Sequence, residues 1–275
     1  MIALNKCLDK FFILNNNVKV LKEFEDNKIE AGKSLYEVIR IIDGKPLFLK
    51  RHLDRLENSA RVTGLELWLG REEIKQSILK LIEKNNVCIG NIKLVFNFSV
   101  KNNFFAYFID HHYPELSDYE NGVDTIFYFG ERQNPNAKII NADFRRQTDI
   151  LIKKKNVFEA ILVDRNGNIT EGSRSNIFFV KGENLITAPL KQVLPGTTRQ
   201  VIMEACSKMG IGVKECKINY RDIDRYDALF ISGTSPKVLP VKSVDNIKFN
   251  SSKNKIVMDV MKAYDEEIKM DLSNL

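Results

Sequence analysis

The stretch Glu159 to Asn176, EAILVDRNGNITEGSRSN, constrains the chain more than any other. Glu159-Ala160-Ile161-Leu162-Val163 is a short apolar run rich in branched side chains, the mark of a buried strand. Asp164-Arg165-Asn166-Gly167 follows, and its Asn-Gly pair reads as a two-residue hairpin turn. The chain returns through Ile169-Thr170 and sets Glu171 beside Gly172. After a polar bend, Asn176-Ile177-Phe178-Phe179-Val180 begins another strand. A carboxylate placed between hairpin strands and a glycine fits either an end of a hairpin that happens to be acidic or an acid that belongs to a site. The second account needs a lysine upstream and a phosphate cradle downstream.

A chain of 275 residues is comfortable as two domains. Tyr113 to Gly122 carries Pro, Gly and polar residues without an apolar period, so the expected division is a domain over 1–115, a linker over 116–124 and a second domain over 125–275. In the first part, Phe11–Leu14 and Lys19–Leu21 suggest a hairpin around Asn15-Asn16-Asn17. Ser34–Ile42 alternates as a long strand, Asp43-Gly44-Lys45-Pro46 turns, and Leu47-Phe48-Leu49 is expected to pair back. His52–Val62 reads as a helix with Leu53, Leu56 and Ala60 on one stripe, and Arg71–Lys84 as another with Ile74, Ile78, Leu81 and Ile82. Asn91–Val100 and Phe104–Ile109 read as strands, which makes a sheet with both helices on one face.

The second part opens with a strand at Thr125–Phe129, an irregular stretch Arg132–Ile140 with a turn at Asn134-Pro135-Asn136, and a helix at Asp143–Lys154. After the central hairpin come strands at Asn176–Val180 and Leu185–Thr187, and Leu194-Pro195-Gly196-Thr197-Thr198-Arg199 leads into a helix through Lys208, which Gly210 stops. Ala228–Ser232 is a buried strand, and a closing helix spans about Lys253–Met270. The expected class is mixed α/β (α+β).

Composition narrows the function. The net charge of +6 with a pI near 9.0 suits acidic ligands, phosphates included, without a basic-aromatic stripe to argue for nucleic acid. The run Lys153-Lys154-Lys155 fits a solvated helix end at the negative pole of the dipole. Cys7, Cys88, Cys206 and Cys216 lie far apart with no CxxC and read as reduced thiols. His111 and His112, taken as neighbours on a strand, would point to opposite faces, so with His52 they offer no metal site. The opening MIALNKCLDKFF has no leader pattern and no apolar run approaches membrane-spanning length, so a cytoplasmic protein is expected.

Three features carry chemistry. Gly196-Thr197-Thr198 precedes a helix, where free amides and a hydroxyl make a phosphate seat or an ordinary threonine cap. Gly233-Thr234-Ser235 after a buried strand offers a second such set, or merely a turn. Lys138, between Ala137 and Ile139, is either a desolvated amine suited to a Schiff base or a lysine that reaches to water. Lysine, carboxylate and phosphate seat together are the minimum protein parts for pyridoxal phosphate.

With these motifs in order, the sequence resembles the class IV pyridoxal-phosphate aminotransferases, which include branched-chain and D-amino-acid aminotransferases and aminodeoxychorismate lyase. The resemblance runs from Ser34-Leu35-Tyr36-Glu37-Val38-Ile39-Arg40 and His52-Leu53-Asp54-Arg55-Leu56 through Lys138 and Ile169–Asn176 to Leu194-Pro195-Gly196-Thr197-Thr198-Arg199, Gly233-Thr234-Ser235 and Leu239-Pro240-Val241. It implies a two-domain fold type IV enzyme, with a small N-terminal α/β domain, a larger C-terminal domain of mixed sheets, the cofactor in the interdomain cleft, and a homodimer. By the same resemblance, Lys138 matches the lysine that forms the Schiff base and shuttles a proton between substrate Cα and cofactor C4′. Glu171 matches the acid at the pyridine nitrogen, and Arg55 the arginine on the cofactor phosphate. Gly196, Thr197 and Thr198 match the phosphate seat, and Thr234 and Ser235 a loop at the phosphate and the substrate carboxylate. Tyr36 and Arg40 match residues of the substrate pocket.

Some positions depart from the family pattern. Many members carry an arginine, often followed by glycine, on the strand matching Ile92–Phe98, where here Lys93 is the only cation. Ile139–Arg146 lacks the tyrosine of branched-chain enzymes and the Asn-Arg pair of the lyases, although Asn141 is present, and Asn27–Gly32 lacks the family's Asp-Arg-Gly. The resemblance implies transfer of an amino group between an amino acid, branched-chain or D, and a 2-oxo acid. The alternatives are a lyase releasing pyruvate and 4-aminobenzoate, and a phosphate- or nucleic-acid-binding protein without catalysis.

Overall fold

The computed structural model describes residues 7–274, and everything below concerns those residues; of the opening stretch read for a leader, residues 1–6 lie outside them. The chain forms two compact units. The first comprises the chain up to His112, Ala137–Ala142 and the stretch from Met270 onward; the second comprises Tyr113–Asn136 and Asp143–Lys269.

The first unit is a six-stranded sheet in the order β2-β1-β6-β5-β3-β4. Its elements are β1 (Cys7–Leu14), β2 (Asn17–Val20), a one-turn helix α1 (Asn27–Glu30), β3 (Lys33–Ile42), β4 (Lys45–Pro46), α2 (Leu49–Thr63), α3 (Arg71–Asn85), β5 (Gly90–Phe98) and β6 (Asn103–Ile109). Asn15 and Asn16 turn β1 into β2, both at positive φ (49° and 65°), the geometry for which asparagine is the best residue after glycine. β3 alternates as its sequence demands: Leu35, Glu37, Ile39 and Ile41 are buried, while Tyr36, Val38 and Arg40 on the other face are half-buried. The α2 stripe (Leu53, Leu56, Ala60) and the α3 stripe (Ile74, Ile78, Leu81, Ile82) close over that first face with Ile92, Leu94, Phe96 and Phe104.

The expected strand at Leu47-Phe48-Leu49 does not form. Pairing continues only as far as the Leu47 amide, which donates to the Arg40 carbonyl at 2.9 Å. Phe48 then takes a left-handed conformation (φ 52°) and becomes the cap residue from which α2 starts, three residues before the expected His52. The periodicity of α2 was legible; its start was not, because no side chain near Phe48 in sequence caps it. The cap comes from the other end of the chain: the Phe48 amide donates to Asp271 Oδ2 at 2.6 Å, and Lys45 Nζ donates to the Leu272 carbonyl at 2.7 Å.

The second unit holds α4 (Leu116–Asn121), β7 (Val123–Phe129), α5 (Ala142–Lys155), β8 (Glu159–Val163), β9 (Asn168–Gly172), β10 (Asn176–Lys181), β11 (Asn184–Thr187), α6 (Thr197–Lys208), β12 (Val213–Glu215), β13 (Ile218–Asn219), β14 (Ala228–Gly233), β15 (Lys237–Val244), β16 (Ile247–Lys248) and α7 (Lys255–Ser273). The strands run β12-β11-β10-β14-β15-β7-β8-β9-β13, with β16 on β15, and mix parallel pairs (β7 with β8, β7 with β15, β11 with β12) with antiparallel ones. Ile161, Ile169, Ile177, Phe179, Leu229, Ile231 and Leu239 fill one side of this sheet. The stretch 116–124 read as a linker carries α4 and the start of β7.

Two local expectations change, and one strand was not foreseen. The central hairpin turns on three residues: the Asp164 amide bonds the Asn168 carbonyl at 2.8 Å, and within the loop only Gly167 is left-handed (φ 77°). The Asp164 carboxylate, which accepts from the Asn166 and Asn168 amides at 2.9 and 2.8 Å, favours this wider loop over the two-residue one. His111 and His112 lie beyond the end of β6, so the argument from opposite strand faces does not apply to them. β15 escaped the sequence reading because Pro240 argues against a central strand. It is accommodated because ladder pairing with β7 begins only at Val241, next to a register shift. No helix among the described residues is long and apolar enough to cross a membrane.

The Asp271 cap is testable. Replacing Asp271 with Ala removes the acceptor at the start of α2 and should lower stability by about 1 kcal/mol. Urea unfolding measures it, and an unchanged midpoint would show that the α2 terminus finds another acceptor.

Candidate active site

The candidate residues fall into two groups, one on each unit. In the first unit they sit on β3, β5, α2 and the segment Ala137–Ala142. That segment is fixed along β3: the Tyr36 amide donates to the Lys138 carbonyl at 3.0 Å and the Ile140 amide to the Ser34 carbonyl at 2.9 Å. The Lys138 amide donates to Ser59 Oγ of α2 at 3.1 Å. The half-buried Lys138 therefore has a firmly held backbone, and its Nζ lies 4.6 Å from the centre of the Tyr36 ring. Lys93 Nζ lies 5.2 Å from the same ring. Lys93 is only 7% exposed and stands opposite Tyr107 across the β5–β6 ladder. Tyr36, Lys93 and Lys138 are thus one cluster, and Arg40 shares the face of β3 with Tyr36.

Behind this cluster, on the helix-covered face of β3, lies an arrangement the sequence reading missed. Glu37 is 0% exposed at a position where alternation calls for a hydrophobe. Arg55 grips it with both edges of a fork, Nε to Oε1 at 2.8 Å and Nη2 to Oε2 at 2.6 Å, and His52 Nδ1 lies 2.8 Å from Oε2. Arg55 Nη2 is also 3.4 Å from His52 Nδ1, but the shorter contact decides the tautomer: a bare Nδ1 facing a carboxylate oxygen would oppose lone pair to lone pair, so Nδ1 carries the proton and donates to Glu37. Burial pushes the Glu37 carboxyl up, but the Arg55 charge and the bonds from Arg55 and His52 outweigh it and hold the carboxyl at about 2. Burial lowers His52, and the positive charges of Arg55 and Lys138 add to that, against the pull of Glu37. A polar residue at an inward position of a strictly alternating strand, with His and Arg three apart on the next helix, is the signal that could have found it.

In the second unit, Glu171 on β9 is 2% exposed. Its Oε2 accepts the Leu194 amide at 3.0 Å, and its Oε1 lies 3.4 Å from Arg132 Nη1. The Asn176 side-chain amide donates to the Leu194 carbonyl at 3.0 Å, so both backbone groups of Leu194 are held. Gly196 follows, and a Cβ there would lie 2.0 Å from Asn176 Oδ1, so the Asn176 amide that holds Leu194 would have to move to admit one. α6 then begins at Thr197 with Gly196 as its cap residue. The first amides of a helix lack partners within it. Thr197, 3% exposed, has a buried Oγ1 with no partner, whereas Thr198 Oγ1 lies 3.3 Å from the Tyr264 hydroxyl. Thr234 and Ser235 form the turn between β14 and β15, closed by the pair Gly233–Lys237. Just before it, the buried Ser232 Oγ has no partner either. Arg132, Asn176 and Ser232 were not singled out in the sequence.

Among the described residues no group of three or more His, Cys, Asp and Glu could hold a metal ion, and all four cysteines are free thiols.

A family model for amino-transferase class IV matches residues 34–244. The chain is 31% identical over 261 residues to a putative branched-chain-amino-acid aminotransferase of Methanocaldococcus jannaschii, covering 89% of this chain and 88% of that one. It is 31% identical over 267 residues to a D-alanine aminotransferase of Listeria monocytogenes, covering 88% and 90%. In structure it resembles the branched-chain amino acid aminotransferase of Escherichia coli, at a TM-score of 0.85, 22% identity and 95% coverage of each chain; this likeness is one of fold, the fold type IV arrangement.

The buried triad predicts how stability follows pH. His52 has a folded pKa below its unfolded value of about 6.5, so the unfolded chain takes the proton first. Its contribution is complete above about pH 6.5 and declines as pH falls below that. Glu37 acts in a lower window: its contribution is present above about pH 4.3 and is lost as pH falls through its folded value of about 2. Urea midpoints measured at pH 7.5 and 5.5 should therefore fall less for His52→Gln than for the parent. An equal fall would remove His52 from the account.

Proposed function

This chain belongs to the amino-transferase class IV family, and we propose that it moves an amino group between an amino acid of the branched-chain or D type and a 2-oxo acid, with Lys138 as its central amine. The enzymes of this family depend on pyridoxal 5′-phosphate. The observation that carries the reading is the unpartnered, buried Thr197 Oγ1 at the head of α6, beside a glycine whose bare Cα lies close to the Asn176 amide. A hydroxyl buried without a partner is costly, and an anion at the helix start would satisfy it together with the free amides. The donor set therefore fits a phosphate.

When bound, the cofactor supplies an aldehyde that takes up the amino group and a ring that accepts the electron pair left on the substrate α-carbon. The protein's own residues do the rest. Lys138 holds the cofactor by its amine and carries the proton to and from the substrate α-carbon. The firm backbone of Lys138 along β3 and its place on the Tyr36 ring support that role. Glu171, buried and held by Leu194 and Arg132, keeps a proton on the ring nitrogen. Arg55, Gly196, Thr197, Thr198, Thr234 and Ser235 hold the phosphate, the last two also meeting the substrate carboxylate. Tyr36, Arg40 and Lys93 line the substrate side, and Lys93 supplies the carboxylate with a cation where many relatives carry arginine. The working form is a homodimer, which light scattering on the purified protein would test.

Two experiments test the reading. Borohydride reduction of the loaded protein should attach the cofactor to the peptide containing Lys138, and Lys138→Ala should lose both that adduct and activity by about 10³-fold or more; an adduct on the Ala variant would identify another lysine. Glu171→Gln should retain cofactor and lose about 10²-fold in kcat. A panel of L- and D-amino acids against 2-oxoglutarate and pyruvate then identifies the donor, each amino acid alone converting the cofactor to pyridoxamine phosphate. Rapid pyruvate release from aminodeoxychorismate, with no amino donor accepted, would replace the transferase reading with the lyase one.

A further inference from the structure

We propose that Glu37 is a positioning residue for Arg55: its buried carboxylate fixes the guanidinium so that the remaining donor edge of Arg55 is presented to the cofactor phosphate in a set orientation. The inference rests on the reading that Arg55 meets the phosphate. The geometry that carries it is independent of that reading: a carboxylate with no exposure, two parallel bonds at 2.8 and 2.6 Å, and a third donor, His52 Nδ1, at 2.8 Å.

Each part of the triad has a consequence for Arg55. The fork leaves the guanidinium one orientation, because rotation about its last side-chain bonds would break two charge-assisted bonds in a dry environment. His52 and Arg55 lie on the same α2 face and share Glu37 Oε2, so the imidazole closes the side of the carboxylate that the arginine leaves open. Glu37 itself lies on β3 between Tyr36 and Val38, within the stretch whose edge holds Lys138. The strand that carries the amine's neighbour Tyr36 thus also carries the anchor of the arginine.

Two effects oppose each other here, and their balance is what an experiment reads. A carboxylate beside Arg55 neutralises part of its charge, which weakens its pull on a phosphate. The same carboxylate removes the cost of ordering a flexible side chain when the phosphate arrives. If neutralisation dominated, removing the charge would tighten phosphate binding; if positioning dominates, removing it loosens binding. The buried, bidentate, fully partnered geometry points to positioning. In Glu37→Gln, the amide offers one acceptor oxygen to three donors, so at least one bond to Arg55 or His52 is lost and a donor is set against a donor.

The test is a titration of the full-length protein, stripped of cofactor, with pyridoxal 5′-phosphate and with pyridoxal, which lacks the phosphate. Glu37→Gln should weaken pyridoxal 5′-phosphate about tenfold, equivalent to about 1.4 kcal/mol, and leave pyridoxal within about twofold, well inside that energy. Glu37→Asp keeps the charge but shortens the reach, and it should show the same selective loss; it also carries the test if the Gln variant does not fold. In an Arg55→Ala background either change should have no further effect on pyridoxal 5′-phosphate. Tighter binding by Glu37→Gln, equal weakening of both ligands, or parent-like affinity in both Glu37 variants would overturn the proposal. If Arg55→Ala alone leaves pyridoxal 5′-phosphate affinity unchanged, the assignment of Arg55 to the phosphate fails first, and that outcome is distinct from one in which Arg55→Ala weakens binding and the Glu37 variants do not.

Discussion

A carboxylate with no access to water has to be matched by donors or be neutral, and in the first unit the matching of Glu37 organises what surrounds it. The position is set by β3, whose alternation turns Leu35, Glu37, Ile39 and Ile41 toward α2 and α3. Three apolar residues there are packed by helices; the fourth position is charged and takes the two polar residues that α2 presents on the same side, His52 and Arg55. A buried pair of this kind is not a cheap source of stability, since desolvating both ions costs about as much as their attraction returns. What it supplies is definition: α2 is registered against β3 by directional bonds as well as by the interchangeable contacts of leucine and isoleucine. The same helix contributes Ser59, whose hydroxyl receives the Lys138 amide, so the registration of α2 extends to the segment bearing the lysine.

The second unit treats its buried carboxylates in the same way with different donors. Glu159, at the head of β8, accepts from the hydroxyls of Ser173 and Ser175 at 2.6 and 2.9 Å and from the Arg174 amide at 3.1 Å, and so shapes the polar bend between β9 and β10. Glu171, at the end of that hairpin, holds the Leu194 amide, and Asn176 holds the Leu194 carbonyl. The two strands on either side of the bend therefore fix the loop that runs into α6, and the orientation of its first amides follows from where the hairpin ends. This is why the acidic residue and the Gly-Thr-Thr segment, far apart in sequence, form a single construction.

Much of this was legible in the sequence for a simple reason. Period-2 and period-3.6 patterns are local, and they located β3, β5, β8, β10, β14, α3 and α6 to within a residue or two. Asn15-Asn16 and Gly210 marked a turn and a helix end because only a few residue types tolerate positive φ. The features that escaped depend on residues remote in the chain. The α2 cap is Asp271, beyond reach of any window around Phe48. Glu37 stands in the apolar half of β3, with Leu35, Ile39 and Ile41, but its partners His52 and Arg55 lie on the next helix, 15 and 18 residues away, outside any local window. β15 was hidden by Pro240, whose missing amide is tolerated because the ladder to β7 starts one residue later. Lys138, Glu171 and the Gly196-Thr197-Thr198 segment stood out in the sequence because lysine, glutamate, glycine and threonine each have a chemical reason to be singled out. Arg132, Asn176 and Ser232 did not, because what distinguishes them is their surroundings in the fold: Glu171 beside Arg132, the Leu194 carbonyl at Asn176, and no partner for the buried Ser232 hydroxyl.

The cation on β5 is the other charge that this sheet buries. Lys93 is almost fully buried beside Tyr36 and opposite Tyr107, a residue whose own hydroxyl is buried without a partner. An arginine in such a place would present a planar fork that grips a carboxylate in one orientation; a lysine presents a compact charge that accepts several. Here a single ring lies against the ammonium, that of Tyr36 at 5.2 Å, while Tyr107 is fully buried in the apolar cluster with Phe12, Val95 and Phe105, so the surroundings of the charge are set by packing and not by a second donor fork.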